Sequence, residues 1–170
     1  MDTKQIYSIL KKHLGKHFLG VFSSDQVPPY IPQLPCAIVC NTDPHFESGE
    51  HWVAIFISSD GYGEYFDSYG REPMKKTFEC FLERNSLHWT YNPARLQSDY
   101  SIVCGHYSIF YILHRYVGYT LNEIINMFSN DYMFNDDIIL DYIENNFNIK
   151  IDSDDWLINQ LCKSLCKIMN

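Results

Sequence analysis

The stretch between residues 96 and 115 contains the cysteine with the clearest chemical setting in this sequence. From Ile102 onward it is apolar on nearly every side, which at this length predicts a helix buried in the middle of a domain. Cys104 would lie in the first turn of that helix, where free backbone N–H groups and the positive end of the helix dipole favour a thiolate. Cys104 is therefore a candidate nucleophile, although a small, buried structural cysteine would give the same pattern.

Gln97 stands seven positions before Cys104 and could place an amide hydrogen-bond donor beside the thiol. Together with the backbone N–H of Cys104, that amide would form an oxyanion hole. Ser98, Asp99 and Ser101 are each suitable N-caps for the central helix. In the alternative interpretation, Gln97 is an exposed loop residue without a chemical role.

A predicted β-hairpin brings a histidine and an aspartate together. Residues 50–57 are apolar on both alternating faces and predict a central strand, and a turn-rich segment separates them from a second strand at residues 64–69. If the hairpin folds about Ser59, positions whose numbers sum to 118 face each other, as His51 and Asp67 do. Opposed residues have Cβ atoms roughly 5 Å apart, so the carboxylate could accept a hydrogen bond from the imidazole. A slip of one or two positions stays open, and so does an ordinary exposed His and Asp.

These segments together supply the groups that thiol acyl transfer requires. The reaction needs a thiolate, an imidazole that forms an ion pair with it and later protonates the leaving amine, a carboxylate that orients the imidazole, and donors to the oxyanion. The chain offers one candidate for each role, in the order His51, Asp67, Gln97 and Cys104.

Several further elements must position these side chains. Apolar residues at helical spacing predict a first helix that ends at Gly15 or Gly20, and a proline-rich connection leads to a buried strand at residues 36–40. A helix at residues 73–84, with Pro73 in its first turn, and a strand at residues 87–91 precede the central helix. Three more helices are predicted at residues 121–128, 136–147 and 155–169, and we interpret them as scaffold.

Composition limits the class of protein. The 170 residues fit one domain, 1–170, and the apolar runs are too short to cross a membrane. A formal charge of −8 argues against a broad nucleic-acid surface. The first residues lack the basic-then-apolar order of a secretory signal, so the six cysteines are expected to be reduced thiols in an intracellular protein that is not secreted.

Metal binding is not expected. His13 and His17 lack the glutamate of a zincin motif, and the pairs Cys36–Cys40 and Cys162–Cys166 have no further ligands at zinc spacing. Packed or solvated side chains explain these pairs better than a metal site does.

The candidate residues lie in motifs that resemble the adenovirus protease (adenain) family of cysteine endopeptidases. The resemblance runs in order and in approximate spacing over about residues 18–116, and its segments are Phe18-Leu19-Gly20-Val21, Cys36-Ala37-Ile38-Val39, Gly49-Glu50-His51-Trp52, Tyr65-Phe66-Asp67-Ser68-Tyr69-Gly70, and Gln97 with Cys104-Gly105. The same elements are similar to those of the related ubiquitin-like-protein proteases. Asp67 stands where adenain has a glutamate and those proteases have an aspartate, which is a conservative difference.

The resemblance implies a fold and a set of roles. The fold would be α+β and distantly papain-like, with a mixed sheet flanked by helices and the nucleophile at the start of a buried central helix. His51 would act as general base and acid, Asp67 as its orienter, Gln97 as oxyanion donor and Cys104 as nucleophile. Trp52 and Gly105 would contact substrate, although Trp52 would serve equally as a core tryptophan.

The resemblance also implies a function. We expect a cysteine endopeptidase that matures capsid precursors of a virus or virus-like element, acts as a monomer in the host nucleus or virion, and cleaves beside small residues such as glycine. The alternatives are a protease for ubiquitin-like proteins and a non-catalytic binding or assembly module. No cofactor is expected. Adenain is activated by DNA and by a disulfide-linked peptide, but the acidic charge and the lack of a cysteine at the linking position argue against both activators here.

Overall fold

A computed structural model describes residues 1–147 and 149 of the chain. The predicted helix at residues 155–169 and the pair Cys162–Cys166 lie outside the described residues. The helices and strands follow in the order α1 (Thr3–Leu14), β1 (Phe18–Phe22), β2 (Cys36–Asn41), β3 (Trp52–Ile57), β4 (Tyr62–Phe66), α2 (Lys76–Asn85), β5 (His88–Tyr91), α3 (Cys104–Tyr116), α4 (Leu121–Ile125) and α5 (Tyr132–Phe147). A short 3-10 turn, Gly15–His17, joins α1 to β1.

The five strands form one mixed sheet in the order β1-β2-β3-β4-β5. Strands β2, β3 and β4 are antiparallel to one another, whereas β1 pairs in parallel with β2 and β5 in parallel with β4. The expected α+β fold with a mixed sheet and flanking helices is confirmed. Strand β1 is an addition, because the sequence analysis assigned no strand before residue 36.

Both faces of the central strand β3 are buried, as its continuous apolar pattern predicted. Ala54 and Phe56 belong to the larger core, which α1, α3 and α5 complete on one side of the sheet. Val53, Ile55 and Ile57 face the opposite side, where α2 covers them with three apolar side chains, Phe78, Phe81 and Leu82. Residues 104–112 of α3 are all buried, so α3 is the central helix that the sequence predicted.

The structure corrects the predicted hairpin register. Ile55 pairs with Tyr65 and Ile57 with Gly63, so opposed positions sum to 120 rather than 118. The centre of the hairpin lies at Asp60 rather than Ser59, because Gly61, at φ +82°, provides the left-handed residue that closes a three-residue loop. A shift of two positions leaves every side chain on its predicted face, since side chains alternate with a period of two.

The beginnings of two helices also differ from prediction. α2 begins at Lys76, so Pro73 lies before the helix and not in its first turn. α3 begins at Cys104, and its N-cap, Val103, makes no side-chain capping bond. Ser98, Asp99 and Ser101 are therefore not the cap, because their side chains have other partners. Every helix in the described part of the chain is too short or too polar to cross a membrane.

Candidate active site

Cys104 is the first residue of α3, in agreement with its predicted place in the first turn. Its side chain is nearly buried, with 7% of the residue exposed, and the backbone N–H of Trp52 lies 3.4 Å from the sulfur. The helix N-terminus and the Trp52 N–H both place positive partial charge next to the sulfur of the candidate nucleophile. The thiol lies where β3 begins, next to His51.

His51 and Asp67 form a close pair. Nε2 of His51 lies 2.8 Å from Oδ1 of Asp67, and the aspartate side chain is completely buried. His51 precedes β3 and Asp67 follows β4, so the two meet just beyond the paired region of the hairpin. The pairing that the sequence predicted is thus present, although the register that led to it was wrong by two positions.

The imidazole also contacts the sulfur, and its titration reflects both partners. Burial acts most strongly and lowers the pKa of His51, but hydrogen bonds to Asp67 and to Cys104, with their negative charges, raise it to about 9. Since Nε2 faces Asp67, Nδ1 is the nitrogen left to face Cys104. The raised pKa therefore favours the imidazolium form of His51 at neutral pH.

Asn92, which sequence reasoning missed, fixes the backbone of Asp67. Its side-chain oxygen accepts from the N–H of Asp67 at 2.8 Å, and its amide nitrogen donates to the carbonyl of Asp67 at 2.8 Å and to that of Ala94 at 3.0 Å. Asn92 is fully buried. The sequence indicated only that Asn92-Pro93 ends a strand. It did not indicate that the side-chain amide of Asn92 would bond to the backbone of Asp67.

The carboxylate of Asp67 is held asymmetrically. Oδ1 accepts from the backbone N–H of Tyr69 at 2.8 Å as well as facing His51, whereas buried Oδ2 has no hydrogen-bond partner among the described residues. The ring of Tyr69 lies 5.1 Å from the His51 ring, and the guanidinium groups of Arg71 and Arg95 lie over Tyr69 at 4.9 and 5.7 Å. Tyr69 thus covers one side of the imidazole.

Gln97 is fully buried rather than exposed. Its carbonyl oxygen accepts from the hydroxyl of Ser68 at 2.6 Å, and its amide nitrogen donates to the carbonyl of Ser101 at 2.8 Å and contacts its hydroxyl at 3.1 Å. These partners fix which end of the amide is the nitrogen, because the oxygen takes the donor and the nitrogen takes the carbonyl. The role of Gln97 as oxyanion donor stays a prediction.

The segment that contains Gln97 is joined to the segment that follows β4. The carbonyl of Ser68 accepts from the backbone N–H groups of Leu96 and Gln97 at 2.9 and 3.1 Å. Gly70, at φ +70°, allows this approach, since a Cβ there would lie 2.6 Å from the carbonyl carbon of Ala94. The orienting carboxylate and the candidate oxyanion donor are therefore held by the same contact between two loops.

Trp52 and Gly105 lie side by side at the base of α3. A Cβ on Gly105 would stand 3.1 Å from Cδ1 of Trp52 and 3.3 Å from Cδ1 of Ile6, so glycine permits α1 and β3 to approach α3 closely. Trp52 packs against the core, and its partly exposed side also lines a surface groove formed with residues 41–49. The core role of Trp52 is thus present, whereas neither His51 nor Cys104 lines this groove, so its role as a wall of the substrate cleft stays a prediction.

The remaining candidates lie elsewhere. His13 and His17 bond the carbonyl oxygens of Ile9 and Pro35, and Cys36 and Cys40 are buried in the sheet. Burial raises the pKa of the Cys36 thiol to about 11 and that of Cys40 further. Within residues 1–147 and 149, no group of three or more His, Cys, Asp or Glu side chains could hold a metal ion.

Comparison with known proteins found relatives among proteases. No protein-family model matches the chain. Over 100 residues, 53% of its length, the chain is 33% identical to "Putative thiol protease R355" of Acanthamoeba polyphaga mimivirus, and it spans only 33% of that relative. Among solved structures, the ASFV pS273R protease superposes with a TM-score of 0.57 at 25% identity, over 79% of this chain and 65% of that one. The chain is thus similar to a thiol protease in sequence and has a protease fold, while the finer assignment to the adenain family stays a prediction.

Proposed function

We propose that this chain is a cysteine endopeptidase that uses His51, Asp67 and Cys104 as a catalytic triad. The observation that carries the proposal is the arrangement around His51, whose ring lies 2.8 Å from a buried carboxylate on one side and contacts a helix-start thiol on the other. The similarity to a thiol protease and to a protease fold supports the same chemistry. These groups also match the requirements of thiol acyl transfer one by one.

The proposed reaction has two stages. The Cys104 thiolate attacks the peptide carbonyl, and the oxyanion that develops is stabilised by the backbone N–H of Cys104 and by a Gln97 amide N–H, which would exchange its longer contact with the Ser101 hydroxyl for the oxyanion. Collapse breaks the C–N bond, and the His51 imidazolium gives its proton to the leaving amine. Neutral His51 then takes a proton from water, which hydrolyses the thioester and restores the thiolate. Asp67 keeps the imidazole oriented throughout.

Two substrate classes are compatible with this chemistry. We favour structural protein precursors of a virus or virus-like element, because the sequence relative belongs to a mimivirus. In the second candidate function the substrates are ubiquitin-like proteins, which the motif resemblance also implies. The motif resemblance implies substrates with glycine beside the scissile bond, and the nearly buried thiol is compatible with that preference. A non-catalytic binding module is the third alternative.

A labelling experiment tests the catalytic proposal. Iodoacetamide at neutral pH should alkylate Cys104 before any other cysteine, although Cys80 on α2 is the more exposed thiol of the two. Cys104→Ala should abolish cleavage of a glycine-containing peptide, and Cys80→Ala, the matched control, should leave cleavage unchanged. If iodoacetamide instead alkylated the cysteines in the order of their solvent exposure, the non-catalytic binding module would be the better interpretation. Capsid-derived peptides and ubiquitin-like precursors, tested in parallel, distinguish the two substrate classes.

A further inference from the structure

Two side chains that follow β4 border the catalytic groups without a role in the proposed reaction. The ring of Tyr69 lies 5.1 Å from the ring of His51, and Cζ of Arg71 lies 4.9 Å from the centre of the Tyr69 ring. Cζ of Arg71 is therefore at most about 10 Å from the centre of the imidazole. An extended peptide advances about 3.3 Å per residue, so a substrate side chain within three residues of the scissile bond could reach this guanidinium.

The guanidinium of Arg71 is positioned but not neutralised. Its side chain is exposed, and none of the described residues forms an ion pair or a hydrogen bond with it. Arg95, the second cation over Tyr69, differs in this respect, because Asp99 pairs with it at 2.7 Å. Stacking on an aromatic ring occupies one face of a guanidinium and leaves the N–H groups at its edge available to a carboxylate.

Tyr69 fixes this arginine relative to the reaction centre. Its ring is half-buried and packs beside His51, and its backbone N–H donates to the carboxylate of Asp67 at 2.8 Å. The ring under the guanidinium is thus held by two members of the proposed triad. A charge that is held in this way can act on a substrate in a defined position, whereas a freely moving surface side chain would not.

The opposite flank of β3 has the opposite charge. Strands β2 and β4 pair with β3 on its two sides, so the segments that follow β2 and β4 border the catalytic groups from opposite sides. The groove after β2, which Trp52 lines, also contains Asp43 and Glu47, and no described lysine or arginine lines it. A peptide that crosses the site therefore meets a cation on the β4 side and carboxylates on the β2 side.

We propose that Arg71 is a specificity-determining residue, which selects substrates with an acidic side chain within three residues of the scissile bond, on one side of that bond only. The inference rests on the proposed peptidase function and names a substrate class for the same site. An ion pair at the surface is weak, but it distinguishes acidic from basic side chains because a like charge is repelled. Since Arg71 would bind the substrate away from the reacting atoms, its contribution should appear in KM more than in kcat.

A set of peptides tests the selection. The peptides share a central Gly-Gly and carry a single Glu, Gln or Lys at one position, up to three residues from the centre on either side. For the wild type, kcat/KM should be about 3- to 5-fold higher with Glu than with Gln on one side of the scissile bond, and no higher on the other side. The preference should weaken as salt is added. If Glu gave no advantage at any position, the proposal would be overturned.

Substitutions test whether the preference belongs to Arg71. Arg71→Gln should bring the ratio of the Glu to the Gln peptide close to one, and Arg71→Glu should reverse the preference in favour of Lys. Arg84→Gln is the matched control, because Arg84 also lies over a tyrosine, Tyr30, at 5.5 Å, but on α2, and it should keep the wild-type ratio. If Arg71 only held Tyr69 in place, Arg71→Gln would slow the Glu and Gln peptides by the same factor, and that result would overturn the proposal.

A binding measurement separates this inference from the proposed reaction. In Cys104→Ala, which has no nucleophile, fluorescence polarisation of the labelled Glu and Gln peptides should show the same difference in Kd, and Arg71→Gln in that background should remove it. If the wild type cleaved no peptide of the set while this difference persisted, the proposed function would fail and the selection by Arg71 would stand. Equal Kd values for the two peptides in Cys104→Ala would overturn the selection by Arg71.

Discussion

Replacing Asp67 by Asn removes one charge from the site while keeping the shape of the side chain. Oδ1 of Asp67 lies 2.8 Å from both His51 Nε2 and the Tyr69 N–H, and an amide oxygen can accept both bonds. The substitution should therefore leave the imidazole oriented but remove the carboxylate charge. Burial, which lowers the pKa of His51, would remain.

The magnitude follows from the titration of His51. The site raises its pKa from 6.5 to about 9, and a difference of this size corresponds to about 3 kcal/mol in favour of the imidazolium. Cys104 also contributes to the rise, so the loss of Asp67 should remove only part of it. We expect kcat/KM at neutral pH to fall by about 10- to 10²-fold.

The pH dependence supplies the assay. The alkaline limb of kcat/KM in the wild type should lie near pH 9, where His51 loses its proton, and in Asp67→Asn it should move toward neutral pH. His51 has a folded pKa above 6.5, so its contribution to stability is complete below pH 6.5 and is lost as the pH rises through about 9. The difference in free energy of unfolding between wild type and variant should therefore shrink above pH 9.

The control lies at the other end of the same hairpin. Asp60, an exposed turn residue that accepts a hydrogen bond from Ser58, is about 20 Å away by the length of strand β3. Asp60→Asn makes the same chemical change and should leave the alkaline limb in place. If the alkaline limb of kcat/KM also stayed near pH 9 in Asp67→Asn, the Asp67 carboxylate would not be the group that raises the pKa of His51. Asp67 would then not belong to the proposed triad.

Three other substitutions test the framework around the site. Gly70→Ala should cost more than about 2 kcal/mol and abolish activity, because its Cβ would meet the backbone of residues 93–95 at 2.6–2.8 Å. Gly15→Ala, whose Cβ would have no atom within 4 Å, should lower stability through backbone strain alone, by about 1–3 kcal/mol, and leave activity in place. Asn92→Asp replaces the donor to the Asp67 carbonyl by an acceptor, so it should lower kcat/KM and shift the His51 titration measured by NMR. Asn85→Asp breaks a similar side-chain bridge, to Pro29 and Phe81, and should lower stability without moving that titration.

The sequence predicted most of the secondary structure because the signals there are local. The apolar run after Ile102 became the buried helix α3, and the doubly apolar strand before Ser58 became the central strand β3. The hairpin register was wrong by two, since turn-forming residues alone do not determine loop length. The side chains still faced as predicted, because strand periodicity tolerates an even shift.

The beginning of α3 shows where local reasoning fails. Ser98, Asp99 and Ser101 have the composition of N-caps, yet each has another partner. Asp99 pairs with Arg95 at 2.7 Å, and the Ser101 hydroxyl lies 3.1 Å from the Gln97 amide nitrogen. The Ser98 hydroxyl accepts from the N–H of Tyr100, and the backbone N–H of Ser98 donates to Asp136. A hydroxyl chooses among partners by geometry, and Asp136 lies 35 or more positions further along the chain. Asn92 was missed for the same reason: its partner Asp67, directly after β4, becomes a neighbour only once β5 pairs with β4.

The location of the site follows from strand direction more than from any single motif. Because β3 and β4 are antiparallel, the beginning of β3 and the end of β4 share one edge of the sheet, and this brings His51 to Asp67. Strand β5 runs parallel to β4, so its end reaches the same edge and delivers Asn92 to Asp67. The chain leaving β5 must then pass this edge before α3 starts, which places Gln97 and Cys104 beside the pair. Chemically suitable residues in four segments could thus be found from sequence once the hairpin was assumed, whereas Asn92, Ser101 and Asp136, which hold them, depend on contacts that exist only in the folded chain.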